Sequence, residues 1–143
     1  MSRTYGMTAG LLAIAFASGI VVGRGARVEA QAQGRVFELR TYTAPEGKLG
    51  ELNARFRNHT MRIFQKHGMA NVAYFTPEDA PASQNTLVYL ISHANRDAAK
   101  ASWAAFGKDP EWQKVAQESQ VNGKIVASVV SQFLVPTDYS PMK

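Results

Sequence analysis

The sequence predicts an α+β fold: one four-stranded antiparallel sheet built in the order β-α-β-β-α-β, with its helices on one face. Three observations predict it. Stretches at 35–43, 70–76, 85–93 and 125–135 are rich in aromatic and β-branched residues and read as strands. Segments of helical periodicity separate the first strand from the second and the third from the fourth. A chain of 143 residues is long enough for one core and too short for two ordinary ones.

Part of that length lies outside the core. Residues 8–23 (TAGLLAIAFASGIVVG) form an unbroken run of apolar and small residues behind Arg3, which reads as an export leader. Ala30-Gln31-Ala32 offers the small residues a signal peptidase needs, so 1–32 is expected to be a signal peptide and 33–143 the mature domain, with its core at about 35–136. Arg24 and Arg27 also suit an uncleaved membrane anchor, although the run is shorter than the ~20 residues of a full span. The expected location is periplasmic or secreted, with a membrane as partner only if the leader is retained.

The first strand, RVFELRTYT, alternates with period two and ends at Pro45 and Gly47. From Lys48 to His67, Leu49, Leu52, Phe56, Ile63 and Phe64 recur at helical spacing until Gly68 stops the helix. ANVAYFT and NTLVYLISH follow as two strands of a hairpin, joined by the turn-rich PEDAPASQ. Asn95 caps a second helix that is expected to bury Ala99, Trp103 and Phe106 and to close at Gly107. Asp109-Pro110-Glu111 starts another helix, to about 120: Asp accepts a free amide, Pro needs no donor there, and Glu suits the positive helix end. Asn122-Gly123 turns the chain into IVASVVSQFLV, and Pro136 ends the fold.

This order is that of the ferredoxin-like split βαβ unit. Right-handed crossovers place both helical segments on one face and leave the other bare. Alternation is read with Phe37 and Leu39 toward the helices, which puts Glu38, Arg40, Tyr42 and Tyr89 on the bare face. Such a face is a poor surface for a monomer, so a two-fold homodimer enclosing a cavity is expected.

Composition narrows the function classes. The formal charge is +5; loss of Arg3, Arg24, Arg27 and Glu29 with the leader reduces it to +3, with basic and acidic residues interspersed. No basic stripe with aromatics marks a nucleic-acid surface. Cysteine is absent, which removes disulfides, thiol nucleophiles and thiolate metal sites. There is no dinucleotide fingerprint, phosphate loop or Ser-His-Asp order.

FELRTYT, EGKLGELNARF, KHGM, NTLVYLISH and WAAFGKDPEWQKV, in this order across about 36–135, resemble the NIPSNAP family. The E-L-R-x-Y strand start and the W-x-x-F-x-x-D-P-x-W segment carry most of the likeness. The resemblance implies a ferredoxin-like domain of the dimeric α/β-barrel type, usually homodimeric. It implies no single reaction, because the wider superfamily includes cofactor-free monooxygenases, haem-handling enzymes, isomerases and non-catalytic proteins.

Within the expected cavity, Glu38 and Arg40 either pair with each other or free Arg40 to hold a substrate carboxylate or enolate beside Tyr42. Tyr42 and Tyr89 serve as aromatic walls or hydroxyl donors. Ser128 and Gln132 alternate on the last strand and offer hydrogen bonds to a ligand or to each other. A proton-transfer role would fall to His93 or Glu38. His59 and His67 lie eight apart on one helix, too far to share a metal; His67 is expected to pack and to offset the negative helix end. Trp103, Phe106 and Trp112 fit a hydrophobic seam. No metal or organic cofactor is expected. Two functions are expected, a binding module for a small apolar or aromatic molecule or a protein partner, and a cofactor-independent monooxygenase or isomerase; a purely structural dimer is a third if side chains fill the cavity.

Overall fold

The computed structural model describes residues 34–143. The leader expected at 1–32 lies outside the described residues. The elements are β1 (Val36–Thr43), α1 (Leu49–Arg55), a π-helical turn (Phe56–Thr60), α2 (Met61–Lys66), β2 (Ala70–Phe75), a 3-10 turn (Ala82–Gln84), β3 (Thr86–His93), α3 (Arg96–Lys108), α4 (Pro110–Glu118) and β4 (Ser128–Leu134). The strands form one antiparallel sheet in the order β2-β3-β1-β4, so the fold is ferredoxin-like α+β as the sequence predicts.

The local signals act through identifiable atoms. Gly68 adopts φ +75°, and the Met69 amide folds back to donate to the Phe64 carbonyl at 3.0 Å, which ends α2. Asn95 Oδ1 accepts from the Ala98 amide at 2.8 Å, and Asp109 Oδ1 accepts from the Glu111 amide at 2.8 Å. Each cap satisfies a donor that the first helical turn leaves free. Gly107, expected to close α3, lies inside it; the helix ends at Asp109, whose extended backbone also starts α4. The expected single helix at 48–67 is interrupted by the π-helical turn, where Thr60 Oγ1 donates to the Arg55 carbonyl at 3.3 Å. β4 begins later than expected, because Ile125 leaves the sheet and is fully buried in the core.

The core lies between the sheet and the helices. Leu52, Ile63, Phe64, Met69, Tyr89, Ile91 and Ile125 are fully buried. Phe56 stands at its centre, with its ring 5.0–6.1 Å from those of Tyr42, Tyr89, Tyr74 and Phe64. Mostly these are tilted or edge-on contacts, which suit the ring quadrupoles. Trp103 and Phe106 continue the layer from α3, and Trp112 packs 4.3 Å from Phe106, so the expected seam is present.

The facing of β1 is opposite to expectation. Glu38, Arg40 and Tyr42 point toward the helices, while Phe37, Leu39 and Thr41 point away. Tyr89, opposite Arg40 on β3, also faces the helices, in contact with Phe56 and Phe64. Period-two alternation dictates which residues share a face; which face turns inward depends on what covers it. Both faces here carry apolar residues. The helix-facing set holds the larger aromatic rings and a carboxylate whose donors come partly from α3, so that set packs against the helices.

On the opposite face no helix is present among the described residues. Leu39, Val88 and Leu90 are half-buried there, and Phe75 and Val130 are each 57% exposed. Phe37 is buried in this face, in a groove shared with Leu134, Val135, Pro136 and Met142. β4, an edge strand, is exposed along its whole length.

Candidate functional site

The polar centre of the structure is the Glu38 carboxylate, 1% exposed. Central placement in β1 brings donors to it from three other elements and its own strand. Arg40 Nη1 and Ser131 Oγ each donate to Oε1 at 2.6 Å. Trp103 Nε1 donates to Oε2 at 2.7 Å, and His93 Nε2 lies 3.0 Å from the same oxygen. Burial by itself raises a carboxyl pKa, but the hydrogen bonds from His93, Ser131, Trp103 and Arg40 outweigh it and hold Glu38 at about 2. A carboxylate so satisfied is a poor proton acceptor. Its chemical role is to anchor Arg40 and orient His93.

Arg40 is sandwiched. Its guanidinium lies 4.3 Å over the Trp103 ring and 5.5 Å from the Tyr42 ring, and Nη2 donates to the Tyr42 hydroxyl at 3.4 Å. Burial works against its charge, but the neighbouring phenols and the bonds to Glu38 and Tyr42 raise its pKa, so it stays a cation. His93 is fully buried beside Phe133, with ring centroids 6.1 Å apart. With Nε2 committed to Glu38, Nδ1 is the nitrogen left for another partner. Burial raises the Tyr89 pKa well above the ordinary phenol value, so its hydroxyl remains protonated.

Three buried atoms of this group have no hydrogen-bond partner among the described residues: Arg40 Nε, Tyr89 Oη and His93 Nδ1. Each such atom costs about 1–3 kcal/mol of lost solvation. Close by, Arg96, Asp97, Lys100, Trp103 and Phe133 line an open cleft of about 350 Å³. Two of its walls touch the polar centre: Trp103 through Glu38, and Phe133 through His93. The Arg96 guanidinium sits 3.4 Å over the Phe133 ring, which brings a cation to the same mouth.

The structure therefore brings together Glu38, Arg40, Tyr42, Tyr89 and His93, on the helix side of the sheet and not on its bare face. Ser128 and Gln132 are separated from them. Their register partners on β1 are Thr43 and Leu39, which places both on the bare face. Ser131, opposite Arg40, supplies the β4 hydroxyl instead. Reversing the facing of β1 moves the selection on β4 by one residue, which is why Ser131 was missed. Helical spacing marks Trp103 as core, but a buried indole N–H also needs an acceptor, and Glu38 lies within its reach.

The remaining histidines have other surroundings. His67 Nε2 lies 2.6 Å from Asp109 Oδ2, and its ring packs edge-on to Phe106, as expected for a helix-end residue. Asp109 also pairs with Lys66 at 2.7 Å; Lys66 and His67 hold its carboxyl well below the usual range. His59 is exposed and lines a separate cleft between α1 and α4. Among the described residues no group of three or more His, Asp or Glu is placed to hold a metal ion.

Known structures share this architecture. A NIPSNAP family protein from Agrobacterium tumefaciens superposes with a TM-score of 0.67 at 23% identity, over 76% of this chain and 99% of that one. An uncharacterised NIPSNAP-like domain protein from Burkholderia xenovorans gives 0.66 at 19% identity, over 76% and 90%. SnoaB, a cofactor-independent oxygenase from Streptomyces nogalater, gives 0.52 at 13% identity, over 76% and 98%. At these identities the likeness is one of fold. Among curated proteins no significant match to the chain exists. The NIPSNAP family model matches residues 37–141, which contain every element from the Glu38 strand to β4 apart from Val36, and the chain belongs to the NIPSNAP family.

Proposed function

We propose that this NIPSNAP domain is an exported homodimer that binds a small aromatic molecule bearing an acidic oxygen, a phenol or an enol, beside the Glu38 centre. The observation that carries the reading is that three side chains of this cluster each keep a buried polar atom without a partner among the described residues: Arg40 Nε and His93 Nδ1, on side chains hydrogen-bonded to Glu38, and Tyr89 Oη, on the ring beside Tyr42. A ligand oxygen would supply what they lack. Trp103 and Phe133 offer the aromatic body a place at the cleft, and Arg96 and Lys100 attract its charge.

Two further elements of the proposal have separate support. The homodimer is supported by the bare sheet face, where Phe75, Val130 and Leu134 are exposed, and by β4, which nothing among the described residues covers. Export is supported by the apolar run at 8–23 and the Ala30-Gln31-Ala32 triplet. Sedimentation of the purified protein and sequencing of its N-terminus test these two points; a stable monomer, or an intact Met1 with no membrane association, removes them.

A second reading is favoured by the Glu38–His93 pair. A carboxylate that fixes one imidazole nitrogen leaves the other to take a proton from a bound ligand. The site would then be that of a cofactor-independent monooxygenase or isomerase, with Arg40 and Tyr42 steadying the developing oxyanion. SnoaB, a protein of the same fold, is itself a cofactor-independent oxygenase.

Both readings meet one experiment. Titration of the full-length protein with 1-naphthol, followed by the two tryptophan indole N–H resonances, is expected to shift Trp103 saturably and to leave Trp112 in place. A Trp103 resonance that stays fixed through a panel of phenols and enols sinks the binding reading. Consumption of an enolisable ligand, lost in His93→Gln with binding retained, selects the enzyme.

A further inference from the structure

We propose that the cleft between α1 and α4 is a second binding site, one that takes the carboxylate of a small organic acid on the Arg55 guanidinium. Arg55 is the last residue of α1 and is 7% exposed. It lines an open cleft of about 370 Å³ with Ala54, Asn58, His59, Val115 and Ser119. Of its five N–H groups, one makes a long hydrogen bond, from Nη1 to Ser119 Oγ at 3.4 Å; the buried Nε has no partner among the described residues. The Arg55 Cζ lies 5.2 Å over the centre of the Trp112 ring, which places the guanidinium and the indole on one side of the cleft.

What is missing among the described residues is a counter-ion. None of the ion pairs among the described residues includes Arg55. The two carboxylates on the same cleft are engaged elsewhere: Glu51 Oε1 is 2.8 Å from Lys48 Nζ, and Glu118 Oε1 is 3.8 Å from Lys114 Nζ. Burial opposes the charge and lowers the Arg55 pKa, yet a guanidinium keeps its proton at any physiological pH. A buried, uncompensated cation beside open space is complementary to an anion.

The chemistry of the cleft selects the anion. A guanidinium fork matches a planar carboxylate through two parallel hydrogen bonds. Glu51 and Glu118 at the rim repel a dianion more strongly than a monoanion, which disfavours phosphate. Ala54 and Val115 give the body of the acid an apolar wall.

Benzoate and inorganic phosphate, each titrated into the full-length protein, test the assignment with the same two indole resonances. Benzoate is expected to shift Trp112 saturably and to leave Trp103 in place, with phosphate at least tenfold weaker. Arg55→Met is expected to weaken benzoate at least tenfold. Asn58→Asp, at an exposed position, places a competing carboxylate in the cleft without touching the core and should do the same. Absence of a saturable Trp112 shift overturns the site, as does benzoate affinity unchanged in both variants; phosphate binding as tightly as benzoate overturns the carboxylate assignment. A shift at Trp103 alone assigns benzoate to the Glu38 centre and likewise removes this site.

Discussion

The indole N–H of Trp103 donates to Glu38 Oε2 at 2.7 Å, tying the middle of α3 to the central strand through a carboxylate that is 1% exposed. A hydrogen bond to a buried charge is worth more than one between neutral groups, because the alternative leaves that charge with fewer donors than burial demands. Trp103→Phe keeps a ring in the seam and removes the donor. Its expected cost is about 1.5–3 kcal/mol of unfolding free energy, read by urea denaturation. A loss below half a kilocalorie would show that Glu38 draws nothing from α3.

Glu38 and Arg40 are two residues apart on one strand, with Nη1 and Oε1 at 2.6 Å. Removing either partner alone strands a buried charge. Glu38→Gln and Arg40→Met are each expected to cost about 3–5 kcal/mol. The double variant should lose clearly less than their sum, since neither charge is then left alone. Additive losses in a double-mutant cycle would mean that the two side chains are stabilised separately.

The same carboxylate imposes a pH dependence with a defined sign. Its folded pKa is about 2 against an ordinary 4.5. Between those values the unfolded chain binds the extra proton, so stability is fully present above about pH 4.5 and is lost as pH falls toward 2. At about 1.4 kcal/mol per pH unit the loss approaches roughly 3 kcal/mol. Wild-type stability should therefore converge on that of Glu38→Gln as pH falls from 5 to 2; parallel curves would show that Glu38 titrates normally.

How far the sequence carried this description depended on the kind of information each feature needs. Capping at Asn95 and Asp109 and the helix stop at Gly68 are local, decided within a few residues of backbone, and they could be read directly. The grouping of Glu38, Arg40 and Tyr42 is local too, because alternation along one strand requires it. Their direction is not: it depends on Trp103, 65 residues away from Glu38, and on Ser131, 93 residues away. Ser128 and Gln132 share the face of Thr43 and Leu39, so that single reversal separates the expected site on the bare surface from the one in the helix layer. Arg55 reads, from its helical spacing among polar neighbours, as part of a solvated face, whereas α4 folds over it and Trp112 lies against its guanidinium.

Tyr89 separates a structural role from a binding role. Its ring is packed among Phe56, Phe64 and Tyr74, and Tyr42 lies edge-on to it, so Phe at this position preserves the shape. The hydroxyl is buried without a partner among the described residues. Removing an unsatisfied polar group relieves its desolvation cost, so Tyr89→Phe should leave the free protein as stable as before or more stable by up to about 1 kcal/mol. A hydroxyl that serves the ligand has the opposite consequence for binding: 1-naphthol affinity at the Trp103 resonance should fall at least fivefold in the same variant. Destabilisation of the free protein by a kilocalorie or more would show that Tyr89 has a partner in the fold after all, and stability gained with affinity unchanged would take its hydroxyl out of the site.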